Sequence, residues 1–430
     1  MKAPQPRLRT LKNGMRVAWI EQPASTAAAI EVFVNVGSRN EDAKINGASH
    51  FIEHMMFKGT KKRPNPQAVS RDLDRFGADY NAATGKDRTS YYVKIEADRL
   101  HHAIDVLHDM LAHATFKADE LNRERGVIIE EINMYEDNPQ SQMGNVLDEM
   151  TFGEHPLAWN IAGTREIIRK ISRNDLLAYR ETFYRPDHMV VAVAGRLPKG
   201  TWDLLEKTFG TWPKHPKEKP AAPLAFQHAQ VNGVRLTVQH KKIEQAQLGM
   251  AFLTYSQLDP RQEALRLLAV ILGGTMSSRL FTEVREKRGL CYNISAGRTT
   301  FTDTGTFYIA AGLEKNRLQE AVDVIWKEID KICKTPVSKQ ELMRAKDFLR
   351  GKFFLDFEDP LARADWYGDQ LCYRERWRTP EERLKAIEAV TPAQIRAVAK
   401  EIFRRDHYAV SVVGPFEERE TLRPWFTGKK

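Results

Sequence analysis

Cysteine is scarce in this chain, at three in 430 residues. Cys291, Cys333 and Cys372 are odd in number and far apart, so they build neither a disulfide framework nor a thiolate zinc site. No apolar run approaches membrane-spanning length, so no membrane partner is expected. Met1-Lys2-Ala3-Pro4-Gln5-Pro6 lacks the apolar stretch of a secretory leader. The cytoplasm is therefore the expected location, with matrix or periplasm after loss of a presequence as the alternative. The 66 basic residues exceed the 57 acidic ones, for a net charge of +9. They are spread along the chain without a long run or a nucleic-acid-binding signature, so nucleic acid is not an expected partner. What remains, 42% hydrophobic and 29% charged, describes a soluble globular chain with core enough for two to three domains.

Against that background, Ala48-Ser49-His50-Phe51-Ile52-Glu53-His54-Met55-Met56 stands out. His50 and His54 are at i and i+4, on one face of a helix, where two ring nitrogens can converge on one ion. Glu53 lies beside them. Asn46 or Ser49 is the expected N-cap, and Gly59 follows the expected end. Two histidines at this spacing alone are more often a surface pair. Here Phe51, Ile52, Met55, Met56 and Phe57 make the segment too apolar for a solvated face, and buried polar groups need a joint partner.

A catalytic zinc takes three protein ligands and keeps one position for water. Placed on a helix at about 100° per residue, residues 118–135 put Leu121, Ile128, Ile132 and Tyr135 on one stripe. Glu124 and Glu131 fall in that stripe, and Glu130 points to the opposite side. Glu124 and Glu131 are thus inward carboxylates and candidates for the third ligand, and Glu130 a solvated carboxylate.

His50-Phe51-Ile52-Glu53-His54 with Glu131 following resembles the pitrilysin-type, or inverzincin, zinc metallopeptidases, which include the mitochondrial processing peptidases and short bacterial homodimeric relatives. The resemblance implies one Zn2+ per chain held by His50, His54 and Glu131. It implies Glu53 as general base and Glu124 as support for the ligands. Asn81-Ala82 matches the edge strand that holds an extended substrate by β-augmentation. Residues alone make that segment an ordinary hairpin: a strand over 78–84, a turn over 85–88 and a returning strand over 89–95. The helix over 98–114 carries His101, His102, His108 and His113, expected to be surface or packing residues.

A repeat organises the rest. Phe183-Tyr184-Arg185-Pro186-Asp187-His188-Met189-Val190-Val191 matches Ile402-Phe403-Arg404-Arg405-Asp406-His407-Tyr408-Ala409-Val410 at an offset of 219 residues. At the same offset, Asn13-Gly14 matches Asn232-Gly233. Two matches near both ends of the unit argue for a duplicated domain. The expected division is 1–212, a Pro/Lys-rich linker over 213–223, and 224–430. The zinc motif shifted by 219 lands on Ala269 to Gly273, so the second copy has no metal site. Its Arg285 and Tyr292 resemble the family's Arg/Tyr element, which assists catalysis; a basic helix end accounts for Arg288 but not for Tyr292. The expected fold is α+β: two homologous domains, each a mostly antiparallel sheet with helices packed on one face. The expected function is a zinc-dependent endopeptidase for short or unfolded peptides, working as a homodimer with sites completed in trans. The alternative is a catalytically silent structural or assembly subunit.

Overall fold

Apolar β-branched runs and turn residues divide the chain into two sheets. The computed structural model describes residues 5–214, 220–228, 232–417 and 419–427. The start of the chain read for a leader (residues 1–4) and the centre of the expected linker (residues 215–219) lie outside the described residues. The first half contains β1 (Arg7–Thr10), β2 (Arg16–Glu21), β3 (Ala27–Val34), α1 (Ala48–Met56), α2 (Pro66–Asp74), β4 (Asp79–Thr84), β5 (Thr89–Glu96), α3 (Leu100–His113), α4 (Ala118–Asp137), α5 (Pro139–Phe152), α6 (Arg165–Lys170), α7 (Arg173–Phe183), β6 (Met189–Gly195) and α8 (Thr201–Lys207). The second half contains β7 (Val234–His240), β8 (Gln245–Thr254), α9 (Gln262–Gly273), β9 (Cys291–Thr300), β10 (Gly305–Glu314), α10 (Leu318–Lys334), α11 (Lys339–Asp356), α12 (Pro360–Tyr373), α13 (Pro380–Ala389), α14 (Pro392–Ile402), β11 (Tyr408–Gly414) and α15 (Arg419–Thr427).

The first sheet runs β1-β2-β6-β3-β5-β4, the second β7-β11-β8-β10-β9. Each contains one parallel pair, β2–β6 and β7–β11, in the same register: Arg16 faces Val190, and Arg235 faces Ala409. Both residues of the second pair lie 219 positions after those of the first, so the repeat seen in sequence is a repeat of strand pairing. The Asn13-Gly14 turn closes the first hairpin. Asn13 Nδ2 donates to Phe209 O at 2.8 Å, its Oδ1 accepts from Met15 N, and Gly14 takes φ 94°.

The compact units are composed differently from the linear halves. One consists of Met1–Ile132, Asn160–Pro223 and Phe353–Arg378; the other of Asn133–Trp159, Leu224–Lys352 and Thr379–Lys430. Within the first unit α12 packs on β2, β3 and β6, and within the second α5 packs on β7, β8 and β11. Helices therefore cover both faces of each sheet, not one. The cause is legible in the strands. β6 and β11 are buried at every residue, so the centre of each sheet has no face for water. Close approach is secured by glycine: a Cβ at Gly368 of α12 would collide with the Phe33 ring, and one at Gly249 of β8 with Met143 of α5. Among the described residues, no helix is long and apolar enough to cross a membrane. The three cysteines are free.

Candidate metal centre

The first unit's core is sealed by Phe51, Ile52, Met55 and Met56 of α1, all buried. Burying that face fixes the rotation of α1, and with it the direction of His50 and His54. The N-terminus is capped otherwise than expected. Gly47 is the cap residue at φ 98°, and Ser49 lies inside the helix. The buried Glu41 carboxylate accepts from Gly47 N and Ser49 N, both at 2.7 Å, and from Asn46 Nδ2 at 3.0 Å. Burial pushes this carboxyl up to about 7, against the pull of those hydrogen bonds. The chain leaves α1 through Phe57 and turns at Gly59, φ 111°.

On α4, Leu121, Glu124, Ile128 and Ile132 are buried, Glu131 is partly buried and Glu130 is exposed. The inward and outward carboxylates are thus as the periodicity assigned them. Tyr135 is the exception, 37% exposed, because the stripe outlasts the core near the helix end. Arg125 holds α4 in place: its guanidinium donates to the carbonyls of Ile168 and Ile171 and lies over the Phe51 ring at 5.6 Å.

These elements bring three ligand atoms together. His50, His54 and Glu131 each offer one, all within 4.8 Å of one another. Glu131 Oε2 is 3.5 Å from both His50 Nε2 and His54 Nε2. Tetrahedral ligands about 2.0–2.1 Å from a zinc ion lie roughly 3.4 Å apart, so the set fits that ion. Tautomers agree with it. His54 Nδ1 donates to Glu124 Oε2 at 3.0 Å, which turns Nε2 toward Glu131 as the atom a metal would take in place of a proton. Burial lowers the His54 imidazole, but hydrogen bonds to Glu124 and Glu131 outweigh it and carry the ring to about 9. His50 goes the other way: burial, then the charge of His54, brings it to about 4, the neutral form a metal takes.

Two residues that sequence reading missed complete the arrangement. Lys58 Nζ reaches Glu124 Oε1 at 2.7 Å. Burial raises the Glu124 carboxyl, yet hydrogen bonds from His54 and Lys58 bring it below its ordinary value. Thr84, the last residue of β4, donates its hydroxyl to Glu53. Glu53 stays above the ordinary carboxylate range, chiefly through burial, as suits a group that takes up a proton. β4 is the sheet edge, with Asn81 exposed and Ala82 partly buried. Ala82 N–H is taken by Asn81's own Oδ1 at 2.9 Å. The histidines of α3 do other work: His101 Nε2 meets Thr201 Oγ1, His102 Nε2 meets Asp72 O, and His108 packs on Phe209 and Trp212. His113 Nδ1 meets Asp109 Oδ1.

The second unit has no equivalent triad among its described residues. Ala269, Leu272 and Gly273, where the motif would fall, are buried in α9. Arg285 belongs to a π-helical turn over Phe281–Glu286. Its guanidinium lies 4.6 Å from the Phe281 ring centre and 5.3 Å from that of Tyr292. Tyr292 is 77% exposed. In the β9–β10 ladder Gly312 faces Asn293 while Leu313 faces Cys291, so Tyr292 is the extra residue of a β-bulge. The bulge puts two consecutive side chains, Tyr292 and Asn293, on the exposed side.

Fold and triad together define a metal-site protein of the His-x-x-Glu-His class. Comparison with known proteins agrees. Residues 16–165 match the family described as insulinase (peptidase family M16), and residues 170–349 match the peptidase M16 inactive domain. An uncharacterized zinc protease of Bacillus subtilis is 32% identical over 406 residues, 94% of this chain and 97% of that protein. The mitochondrial-processing peptidase subunit beta of Bos taurus is 31% identical over 432 residues, covering 97% of this chain and 86% of the subunit. A protease from Helicobacter pylori has the same fold, with a TM-score of 0.91 at 23% identity over 96% of this chain and 100% of the other. The chain belongs to peptidase family M16, the pitrilysin-type family, whose relatives are named zinc proteases.

Proposed function

We propose that the chain is a zinc-dependent endopeptidase that hydrolyses short or unfolded peptides. The observation that carries this reading is the convergence of His50, His54 and Glu131 on one point, with Glu53 beside it and hydrogen-bonded to the edge strand. When bound, zinc supplies a Lewis acid that polarises a carbonyl and brings the pKa of water toward neutrality. Glu53 takes the proton of the attacking water and delivers it to the leaving amine. Thr84 holds the Glu53 carboxylate at the end of β4, so a peptide added along that edge runs toward the base. Asn81 and Ala82 receive the peptide main chain there, Asn81 Oδ1 yielding the Ala82 N–H to it. Arg285 and Tyr292 stabilise the developing oxyanion. The first unit supplies the metal ligands and the second supplies Arg285 and Tyr292, which we assign to opposite subunits of a homodimer.

A silent structural subunit is the rival reading, and the match of residues 170–349 to an inactive domain is its support. That match contains none of the triad residues. Substituting Glu53→Gln separates the two readings. The variant should bind zinc at wild-type stoichiometry and lose peptide turnover by about 100-fold or more, the scale of general acid–base catalysis. A wild-type protein that binds zinc and cleaves nothing in a peptide-library digest would favour the silent subunit.

A further inference from the structure

The second unit contains a cavity of about 390 Å³ with an unusual wall. Four side-chain amides line it, Gln140, Gln245, Gln247 and Asn293, together with Arg285 and Tyr292. Among the described residues, no aspartate or glutamate does. Gln245 and Gln247 are two apart on β8 and share a face. Gly312 of β10 faces Gln247 on one side and Asn293 on the other. A Cβ there would stand 3.3 Å from Gln245 Oε1 and from Gln247 Nε2, so glycine keeps the cavity floor clear.

Among the described residues, Arg285 is the only charged group in the wall. Two aromatic rings hold its guanidinium, and its ionic neighbour Glu286 is 3.9 Å from Nε, beyond hydrogen-bond reach. A guanidinium fixed by rings, with its N–H fork not committed to a carboxylate, is shaped to take a planar pair of oxygens. Neutral amides can donate to the same carboxylate and do not repel it. A cavity meant for lysine or arginine would instead present acids.

We infer that this cavity is a side-chain subsite that selects aspartate or glutamate residues of a peptide and disfavours lysine and arginine. The inference rests on the peptidase reading and deepens it, by naming the class of substrate. Five guanidinium donors are enough to hold a side-chain carboxylate and still reach a main-chain carbonyl. The net charge of +9 favours the approach of acidic peptides over basic ones.

The test uses peptides identical except at one scanned position, which carries Glu, Ala or Lys. Each is fluorescein-labelled and titrated by anisotropy into full-length, zinc-loaded Glu53→Gln protein, and each is also offered to the wild type for cleavage. At one position the Glu peptide should bind at least tenfold more tightly than the Lys peptide. Adding Gln247→Glu, which sets a carboxylate in the same cavity wall as Arg285, should abolish or invert that ratio. Asn293→Asp serves the same purpose from the exposed strand if Gln247→Glu does not fold. Equal affinity for Glu and Lys peptides at every position would overturn the subsite, as would a Glu preference that both acidic variants leave unchanged. Absence of cleavage by the wild type, with the Glu preference in binding intact, would overturn the peptidase reading and uphold the subsite.

Discussion

Lys58 lies outside the candidate metal triad yet is tied to it through Glu124. Its ammonium and the His54 ring hold the two oxygens of Glu124 between them, and Glu124 in turn fixes the His54 tautomer. Removing the ammonium leaves a buried carboxylate with one partner, free to rotate away from the ring. Lys58→Met should therefore weaken zinc binding about 10–100-fold, the cost typical of a lost supporting partner, with circular dichroism unchanged. Competition with a chelator measures this, and wild-type affinity would show Glu124 to be held without Lys58. Glu131→Ala should abolish stoichiometric zinc, whereas Glu130→Ala should keep it; metal analysis that gave the reverse would refute the facing of α4. Most of this site was legible because helical spacing fixes direction. His50, Glu53 and His54 are set by one turn of helix, and Glu131 by the stripe it shares with Ile128. Lys58 had a usable signal, i+4 from His54 and i+8 from His50 on the same face. Glu41 and Thr84 had none, since a loop residue and a strand end carry no period that aims them at a helix.

At the scale of elements, periodicity identifies which face of a helix is apolar but not which sheet it will cover. A linear division at 212 and 224 therefore puts α5 and α12 in their own halves of the sequence, and a fold read from it has helices on one face of each sheet. Their docking has an electrostatic consequence. Glu31, in the middle of β3 in the first unit, is 3% exposed, and its Oε2 has no hydrogen-bond partner. Burial, then the charge of Asp365 on α12, holds its carboxyl well above its ordinary value of 4.5. Asp369 adds to the effect, while Ser90 and Arg88 oppose it. The folded chain therefore keeps a proton that the unfolded chain releases, and stability present at acidic pH is lost as pH rises from 4.5 through the raised value. Glu31→Gln preserves the shape and removes the ionisation. It should stabilise the protein at pH 8 by on the order of 1–3 kcal/mol and change little near pH 4.5. Thermal melts at the two pH values check this; an equal shift at both would mean that packing, not charge, sets the cost.

For the whole molecule, duplication followed by divergence explains why one copy holds the His50-His54-Glu131 triad and the other holds Arg285 and Tyr292. The repeat itself was readable from two short matches, because the parallel strand pairs that they encode kept one register. The bulge that exposes Tyr292 was not, since one inserted residue leaves no pattern in a strand. Assigning the two copies to opposite subunits makes a quantitative claim. Glu53→Gln and Arg285→Ala should each be inactive alone. After subunit exchange at equal concentrations, half of the dimers are mixed, and each mixed dimer regains one of its two sites if Arg285 acts across the interface. Activity should then return to about a quarter of wild type, by the arithmetic of a two-fold symmetric dimer. If Arg285 acted on the zinc centre of its own chain, no mixed dimer would contain an intact site and the mixture would stay silent. Native mass spectrometry of the same mixture, with one variant isotopically labelled, establishes that exchange has occurred, so that a silent mixture of proven heterodimers rules out action in trans.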